Sequence, residues 1–329
     1  MGDKQKVLIT RKIPENGIRA LEKHFELIIN PNDRNMSHRE IMQNIEDVFA
    51  IIPMVSDIID REILDRAKNL RIIANYGVGT NNVDIEFATE KGIYFTNTPG
   101  VLTQATAELG WALIMAAARR IVEADRFTRS GKFTGFAPTL MLGVELYGRT
   151  LGIIGMGRIG SSIARMARFG FNMNVVYYNR RVSDRELLVD AERLELDELL
   201  KISDIIVVCA PLNDGTRHLI GHKEFGLMKE GAIFVNIGRG EIVDTDALIE
   251  ALRDGRLFSC GLDVYENEPN FDKRLLEFDN CILLPHIGSA TIKTRERMAE
   301  IVANNVIKVY RGDCPDFVVN GEALCGAKN

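Results

Sequence analysis

A short apolar run that leads directly into three spaced glycines constrains the fold of this chain more than any other feature. Residues 151–160 read LGIIGMGRIG, a predicted strand that meets the pattern G-x-G-x-x-G and continues as a predicted helix. In such a turn Gly155 permits the tight bend, Gly157 lets the backbone approach a pyrophosphate, and Gly160 lets helix and strand pack closely. The helix N-terminus attracts the anion. We therefore predict a dinucleotide-binding turn rather than a merely structural one. Its predicted contacts are Gly155, Met156, Gly157, Arg158, Ile159 and Gly160.

Short apolar strands alternate with amphipathic helices along the chain, which indicates α/β architecture with parallel sheets. We expect long helices at 103–129 and 291–311 to cross between domains. The predicted fold has two Rossmann-like domains. A doubly wound parallel-sheet domain at 100–289, which carries the dinucleotide-binding turn, is inserted in a smaller, flavodoxin-like substrate-binding domain at 1–99 and 290–329.

Composition excludes several classes of protein. The chain has 329 residues, 46% of them hydrophobic and 26% charged, with a net charge of −5, which argues against nucleic acid or an anionic membrane as a partner. The five cysteines form no CxxC pair; Cys209 and Cys281 lie in apolar runs and are expected to be reduced core thiols, and no metal site is predicted. No apolar leader segment precedes the first strand, and residues 109–118 are too short to span a bilayer, so we expect a cytoplasmic protein.

The end of the next predicted strand indicates which dinucleotide binds. That strand, residues 175–178, ends at Asn179, where an NAD enzyme usually has Asp or Glu to hold the ribose 2′-hydroxyl. Asn179 does not repel a phosphate, and Arg180 and Arg181 suit bidentate phosphate binding. We predict NADPH, with NADH as the weaker cofactor. The alternative is that both arginines are solvated surface charges.

Three later segments begin at the carboxyl ends of predicted strands, where an open α/β sheet binds ligands. They place Arg239, Glu268 and His286 at that edge. Reduction of a 2-oxo acid needs a cation for the carboxylate and carbonyl, which Arg239 can supply. It also needs an acid for the new alkoxide, and histidine is the side chain most often used for such proton transfer, which assigns the role to His286. Glu268 can pair with the imidazolium and favour its protonated form.

These motifs resemble those of the D-isomer-specific 2-hydroxyacid dehydrogenase family from Val7 to about Val319. The matching signatures are LGIIGMGRIG, MKEGAIFVNIGRGEIVDTDAL and the paired GLDVYENEP and LPHIGSAT. The resemblance implies that Arg239, Glu268 and His286 are the catalytic residues. It also implies that the N–H groups of Val78 and Gly79, in the turn YGVGT, bind the substrate carboxylate together with Arg239. His286 is expected to contact the substrate as its proton donor.

The resemblance implies further cofactor contacts, a branch and an oligomeric state. The additional cofactor residues are Thr106, Pro211, Ile237, Asp263 and Gly288. Within the family, TPGVLTQATAELG, the Asn-Arg-Arg run and HIGSAT are most similar to the glyoxylate/hydroxypyruvate reductase branch, which includes 2-ketogluconate reductases. We therefore expect NADPH-dependent reduction of a small 2-oxo acid to the D-2-hydroxy acid. We also expect a homodimer that uses residues 131–148 and the preceding helix as its interface.

Other functions within the same fold remain open at this point. A phosphoglycerate-type or formate-oxidising enzyme would use similar motifs, although the former often has an added regulatory domain and the latter protonates no product alkoxide. A corepressor-like module would bind the dinucleotide without turnover. Such proteins tend to have extra tails and to prefer NADH, which the arginine pair does not favour.

Overall fold

The computed structural model describes residues 4–324, which form two compact units. Unit 1 comprises the chain up to Leu102 and from Ser289 onward, and unit 2 comprises Thr103–Gly288. Each unit is an α/β structure on a wholly parallel sheet, which confirms the predicted class of two Rossmann-like domains. Residues 1–3 and 325–329, the outermost parts of the predicted substrate-binding domain, lie outside the described residues.

Unit 1 has a five-stranded sheet in the order β2-β1-β3-β4-β5. Its strands are β1 Lys6–Ile9, β2 Glu26–Ile29, β3 Val48–Ile52, β4 Ile72–Ala74 and β5 Tyr94–Thr96. Its first helices are α1 Glu15–Glu22, α2 His38–Asn44, α3 Arg61–Arg66 and α4 Ile85–Glu90. Strand β3 is buried along its whole length, as expected for an inner parallel strand with both faces covered.

The long helix α11 packs closely against the first helix of unit 1. Helix α11 spans Ile292–Arg311 and is capped by Thr291, whose side chain accepts a hydrogen bond from the Thr294 N–H. A Cβ on Gly17 of α1 would lie 2.9 Å from the Ala299 Cβ, so only glycine allows this approach. A last short helix, α12, spans Gly321–Leu324.

Unit 2 has a seven-stranded sheet in the order β12-β11-β10-β9-β6-β7-β8. Its strands are β6 Thr150–Ile154, β7 Asn174–Tyr178, β8 Glu192–Arg193, β9 Ile205–Val208, β10 Ala232–Asn236, β11 Leu257–Leu262 and β12 Cys281–Leu283. Its helices are α5 Thr103–Ala118, α6 Ile121–Arg129, α7 Arg158–Phe171, α8 Leu196–Ile202, α9 His222–Leu227 and α10 Thr245–Arg253. Helices α5 and α7 share one apolar cluster with the sheet, and α8, α9 and α10 share another.

In unit 2 the direction in which successive strands are added to the sheet reverses at β6. The chain runs from β6 outward to β7 on one side and continues with β9 on the other. In open α/β sheets, a ligand binds beyond the carboxyl ends of the strands at such a switch point. The glycine turn follows β6 directly and therefore occupies that position.

Two details of unit 2 differ from the sequence prediction. The helix predicted over 103–129 is two helices, because Arg120 adopts a left-handed conformation with φ 51°. The Ala118 carbonyl, which a continuous helix would use internally, instead accepts a hydrogen bond from the Val144 N–H at 2.8 Å. The sequence predicts six apolar strands in this unit, and the structure adds the short strand β8, which Glu192 and Arg193 do not indicate because they form no apolar run.

Within residues 4–324, no helix combines the length and the apolar character needed to span a bilayer. The thiols of Cys209, Cys260 and Cys281 are free. Burial raises the pKa of the Cys209 thiol to about 12.

Candidate active site

The glycine turn of unit 2 is shaped by close backbone packing. Gly155 has φ 105°, and a Cβ there would lie 2.6 Å from the Ala210 N atom. A Cβ on Gly160 would lie 2.3 Å from the Gly155 carbonyl oxygen. A Cβ on Gly157 would meet no atom within 4 Å, so this part of the backbone faces open space. The turn therefore fits a pyrophosphate, which would approach Gly157 and the start of α7, where a helix leaves its first N–H groups without an intrahelical acceptor.

Asn179, at the end of β7, supports this turn directly. Its Oδ1 accepts a hydrogen bond from the Met156 N–H at 2.8 Å. Arg180 and Arg181 follow, and both are exposed. Neither guanidinium forms an ion pair or hydrogen bond with any residue between 4 and 324. Together with Met156 and Gly157, these residues line one depression at the carboxyl edge of the sheet.

The loop after the two arginines is tied back to the glycine turn. The buried Ser183 donates through its hydroxyl to the Met156 carbonyl at 2.7 Å. Its N–H donates to the Tyr177 hydroxyl at 3.2 Å, and that hydroxyl donates to the Glu186 carboxylate. Because Ser183 is anchored at both its side chain and its backbone, the preceding arginines stand at the rim of the depression.

The other predicted cofactor residues lie in the same unit. Thr106, Ile237, Asp263 and Gly288 are buried, whereas Pro211 is exposed and also lines the depression. A Cβ on Gly288 would lie 3.1 Å from the Thr106 methyl carbon and 3.2 Å from Asp263 Oδ2, so these three residues are neighbours. Their roles in cofactor binding stay predictions.

Arg239 stands in a turn fixed by the side chain of Asn236, the last residue of β10. Asn236 Nδ2 donates to the Arg239 carbonyl at 2.9 Å, and its Oδ1 accepts from the Gly238 N–H at 3.0 Å. A Cβ on Gly240 would lie 1.8 Å from the Tyr265 carbonyl carbon. Only glycine at this position lets the Arg239 turn pack against the segment that leads to Glu268.

Glu268 and His286 form a close pair. His286 Nδ1 lies 2.8 Å from Glu268 Oε2, and Glu268 Oε1 accepts a hydrogen bond from the Tyr265 N–H at 2.9 Å. The Tyr265 hydroxyl donates to the Leu284 carbonyl at 2.7 Å, which ties the Glu268 segment to the chain just before His286. Both side chains are partly exposed, at 24% for Glu268 and 33% for His286.

His286 adopts φ 53°, in the left-handed region that residues other than glycine rarely occupy. The next two residues are held by Asp263: its Oδ1 accepts the Ile287 N–H at 2.7 Å and its Oδ2 accepts the Gly288 N–H at 2.8 Å. Backbone strain of this kind persists where surrounding contacts determine it, and it is frequent at active sites. Asp263 therefore holds the segment that carries His286.

The charged groups of the site sit in a partly desolvated setting. Burial lowers the pKa of the Arg239 guanidinium, and the carboxylates of Glu268 and Glu241 oppose that shift. Arginine nevertheless stays protonated in proteins, so a cation remains here. Burial raises the pKa of the Asp263 carboxyl, while the N–H groups of residues 287 and 288 and the nearby His286 act in the other direction.

The glycine turn of unit 1 lies between β4 and α4. Gly77 is buried, and a Cβ there would lie 2.2 Å from Val55 Cγ1. Val78 is 36% exposed and Gly79 is partly exposed, so the backbone of both residues is near the surface of the unit. The N–H groups of Val78 and Gly79 are the ones predicted to bind the substrate carboxylate. Neither has a hydrogen-bond acceptor within the described part of the chain.

Sequence reasoning missed three residues that build this site. Asn236, Tyr265 and Ser183 all hold backbone segments through side-chain hydrogen bonds. Asn236 and Tyr265 stand inside the motifs NIGRG and DVYENEP, next to the chosen residues, and Ser183 follows the arginine pair. A polar side chain beside a strand-end turn was the available signal, because such side chains commonly bond to nearby backbone.

Comparison with known proteins gives a consistent picture. Residues 111–288 match the family model of the D-isomer specific 2-hydroxyacid dehydrogenase, NAD binding domain. Over 326 residues the chain is 49% identical to the glyoxylate reductase of Thermococcus onnurineus, and the match covers 98% of this chain and 97% of the relative.

Solved structures show the same similarity. A protein from Thermus thermophilus is 42% identical, with a TM-score of 0.90 over 96% of this chain and 100% of its own. An NADPH-dependent glyoxylate/hydroxypyruvate reductase from Sinorhizobium meliloti, solved with NADP and malonate, is 29% identical. Its TM-score is 0.84 over 96% of this chain and 97% of its own.

Proposed function

The chain belongs to the D-isomer-specific 2-hydroxyacid dehydrogenase family, and on that basis we propose that it uses NADPH to reduce glyoxylate, hydroxypyruvate or a related small 2-oxo acid to the D-2-hydroxy acid. Membership makes the protein an oxidoreductase that takes a nicotinamide dinucleotide and a small 2-oxo or 2-hydroxy acid. The predicted family and its glyoxylate reductase branch are confirmed. The cofactor preference, the individual acid and the residue roles are the proposal.

The His286–Glu268 pair is the observation that supports this reaction best. Reduction of a 2-oxo acid produces an alkoxide that must be protonated, and an imidazolium is suited to donate that proton. Glu268 accepts the Nδ1 hydrogen at 2.8 Å, while the Tyr265 N–H occupies its other oxygen. Nε2 is therefore the ring nitrogen that gives the proton to the carbonyl oxygen. When bound, the nicotinamide cofactor supplies the hydride.

Arg239 supplies the fixed positive charge of the site. Its turn is held by Asn236, and its guanidinium is partly buried near the Glu268 carboxylate. A cation at this position stabilises both the substrate carboxylate and the negative charge that develops on the carbonyl oxygen. In unit 1, we assign carboxylate binding to the N–H groups of Val78 and Gly79.

The preference for NADPH rests on charge at the end of β7. Asn179 uses its carbonyl oxygen to accept the Met156 N–H and brings no negative charge. Arg180 and Arg181 are exposed cations without a carboxylate partner among residues 4–324. A 2′-phosphate offers the charge and the paired acceptor oxygens that guanidinium groups bind best.

A homodimer is the proposed assembly, with the segment 131–148 in its interface. Phe136 is 92% exposed, Tyr147 71%, Leu142 62% and Phe133 59%. Several exposed aromatic and aliphatic residues within one short segment of sequence are typical of protein interfaces, and a second copy of the chain is the partner we propose. Light scattering of the wild type should give a dimer mass, and Phe136→Asp should shift it to the monomer. A monomeric wild type would refute the assignment.

Initial rates of absorbance change at 340 nm test the proposed reaction. NADPH and NADH are each offered with glyoxylate, hydroxypyruvate and 2-ketogluconate. Rapid NADPH oxidation with at least one acid is expected, with a lower kcat/KM for NADH. If neither cofactor is oxidised with any of the three acids, the proposed substrate class is wrong.

A further inference from the structure

The glycine turn of unit 1 is held from one side by three hydrogen bonds to consecutive carbonyl groups. Gly77, Val78 and Gly79 each use the carbonyl oxygen to accept one bond from a donor in the same unit. In that order the donors are the Thr98 N–H at 2.9 Å, Asn97 Nδ2 at 2.8 Å and Asn75 Nδ2 at 2.8 Å. All three donors come from the ends of β4 and β5.

This pattern determines where the adjacent N–H groups point. In a trans peptide the carbonyl of one residue and the N–H of the next are antiparallel. Anchoring the three carbonyls therefore turns the N–H groups of Val78, Gly79 and Thr80 to the opposite side. None of these N–H groups has an acceptor among residues 4–324. Consecutive N–H groups on one side of a turn form a concave site for an anionic oxygen.

We propose that Asn97 and Asn75 are positioning residues that preorganise this turn for the substrate carboxylate, and that the Thr80 N–H is a third donor to it. The inference rests on the proposed function, because it takes a carboxylate as the ligand. It adds the residues that hold the turn, and neither asparagine needs to touch the substrate. Donors that are already oriented avoid the cost of ordering the turn when the anion binds.

A second layer fixes the orientation of Asn75. Asn75 is fully buried, and its Oδ1 accepts a hydrogen bond from Asn82 Nδ2 at 3.2 Å. Asn82 is 6% exposed, and the two hydrogens of its Nδ2 are shared among Asn75 Oδ1 and the carbonyls of Met54 and Asp57. A flipped Asn75 amide would set its NH2 group against that of Asn82 and its oxygen against the Gly79 carbonyl. The network therefore leaves one orientation, in which Nδ2 faces the turn.

The end of β5, which positions Asn97, is itself clamped by the returning C-terminal segment. The Asn97 N–H donates to the Phe317 carbonyl at 3.4 Å, and Thr96 forms a bridge with Val318. Asn320 Oδ1 accepts the Phe95 N–H at 2.9 Å. These contacts fix the backbone from which the Asn97 amide reaches the Val78 carbonyl.

Asn97 is the residue to change, because it is partly exposed and its loss should not unfold the protein. Asn97→Ala removes one of the three anchors, and Asn97→Asp places a carboxylate against the Val78 carbonyl. The matched control is Asn69→Ala. Asn69 also donates from Nδ2 to a backbone carbonyl of unit 1, that of Asp47 at 3.4 Å. It precedes β4, however, and so does not belong to the strand ends that hold the glycine turn.

Three quantities are measured for each protein: KM and kcat for glyoxylate with NADPH, Kd for NADPH, and Kd for oxamate by calorimetry with NADPH-saturated protein. Loss of one neutral hydrogen bond corresponds to about a 3- to 10-fold change in binding. We expect Asn97→Ala to raise KM and the oxamate Kd about 3- to 10-fold, with kcat and the NADPH Kd within about twofold. Asn97→Asp should have the larger effect, and Asn69→Ala should match the wild type.

The outcomes separate this inference from the proposed function. If the wild type reduces glyoxylate but Asn97→Ala leaves KM and the oxamate Kd unchanged, the positioning role is refuted. An equal fall in kcat and in NADPH affinity would also refute it, since that pattern indicates general damage to the fold. If the wild type does not reduce glyoxylate but loses oxamate affinity in Asn97→Ala, the positioning role stands and the proposed substrate falls. A wild type that neither turns over glyoxylate nor binds oxamate overturns both.

Discussion

Replacing Asp263 by asparagine tests whether two backbone hydrogen bonds hold the segment that carries His286. The Asp263 side chain is 2% exposed, and each of its oxygens accepts one N–H, from Ile287 at 2.7 Å and from Gly288 at 2.8 Å. Asparagine has nearly the same shape but offers one acceptor and one NH2 donor. One of the two N–H groups must then face a donor.

The magnitude follows from that single lost acceptor. Leaving a buried N–H unpaired costs about 1–3 kcal/mol. Part of this is offset, because burial raises the pKa of Asp263 and asparagine removes the buried charge. The left-handed conformation of His286 costs about 1–2 kcal/mol and depends on its neighbours being held. With one of the two hydrogen bonds to residue 263 lost, the segment that carries His286 gains conformations in which the His286 Nε2 is misplaced.

We expect kcat to fall about 10- to 100-fold, since each 1.4 kcal/mol of lost transition-state stabilisation is about a factor of ten. The KM for glyoxylate should change much less. The melting temperature of the unit should fall by roughly 2–4 °C for each kcal/mol lost. The assay is the 340 nm rate at saturating NADPH, together with thermal unfolding of the same preparations.

Asp204→Asn is the matched control for this experiment. Asp204 lies in the same unit and also holds a backbone N–H, that of Thr150 at 2.9 Å, but it precedes β9 at the opposite edge of the sheet. It should lower the melting temperature without lowering kcat. If Asp263→Asn loses stability like the control but keeps kcat within about twofold of the wild type, Asp263 does not position His286 and the reasoning is wrong.

Three further outcomes follow from the same structure. His286→Ala should lower kcat about 10²- to 10⁴-fold with a small effect on NADPH affinity, and near-normal turnover would remove His286 as the proton donor. Replacing both Arg180 and Arg181 by alanine should lower the NADPH-to-NADH ratio of kcat/KM by at least about tenfold, and an unchanged ratio would show that neither binds the 2′-phosphate. Burial raises the pKa of Asp204, but the Thr150 N–H and two cationic neighbours outweigh it and hold the pKa below its usual 3.8. A lowered folded-state pKa stabilises the protein above the unfolded value and loses that effect as pH falls through the folded value. The stability difference between wild type and Asp204→Asn should therefore be largest near pH 7 and shrink below about pH 4; a difference that does not vary with pH would contradict this.

Local sequence patterns predict the parts of this fold that depend on local physics. Strand β6 and the glycine turn are readable because an apolar run, three spaced glycines and a helix follow in a fixed order. The common location of Arg239, Glu268 and His286 can be predicted because each follows a strand, and parallel strands end at one edge of the sheet. The 2.8 Å pairing of the last two agrees with that reasoning.

The remaining features depend on contacts between segments distant in sequence. The helix break at Arg120 requires the Val144 N–H to take the Ala118 carbonyl, a contact that residues 103–129 do not contain. Gly240 is needed because the backbone of Tyr265 passes against it. No periodicity or motif spacing encodes such a close approach. The sequence therefore shows that residue 240 is glycine but does not show the contact that requires it.

Donor and acceptor counts explain which polar residue stands at each of these turns. Asn236 donates to one backbone carbonyl and accepts from one backbone N–H, which an amide does and a carboxylate cannot. Asn75 meets the same demand, between the Gly79 carbonyl and the amide of Asn82. Asp263 faces two N–H groups and needs two acceptors, which only a carboxylate provides. Exchanging acid and amide therefore fails for opposite reasons: Asn236→Asp sets a carboxylate against a carbonyl, whereas Asp263→Asn sets a donor against a donor. Shape is conserved in both exchanges, so the losses they cause come from the hydrogen-bond pattern and the change of one charge rather than from packing.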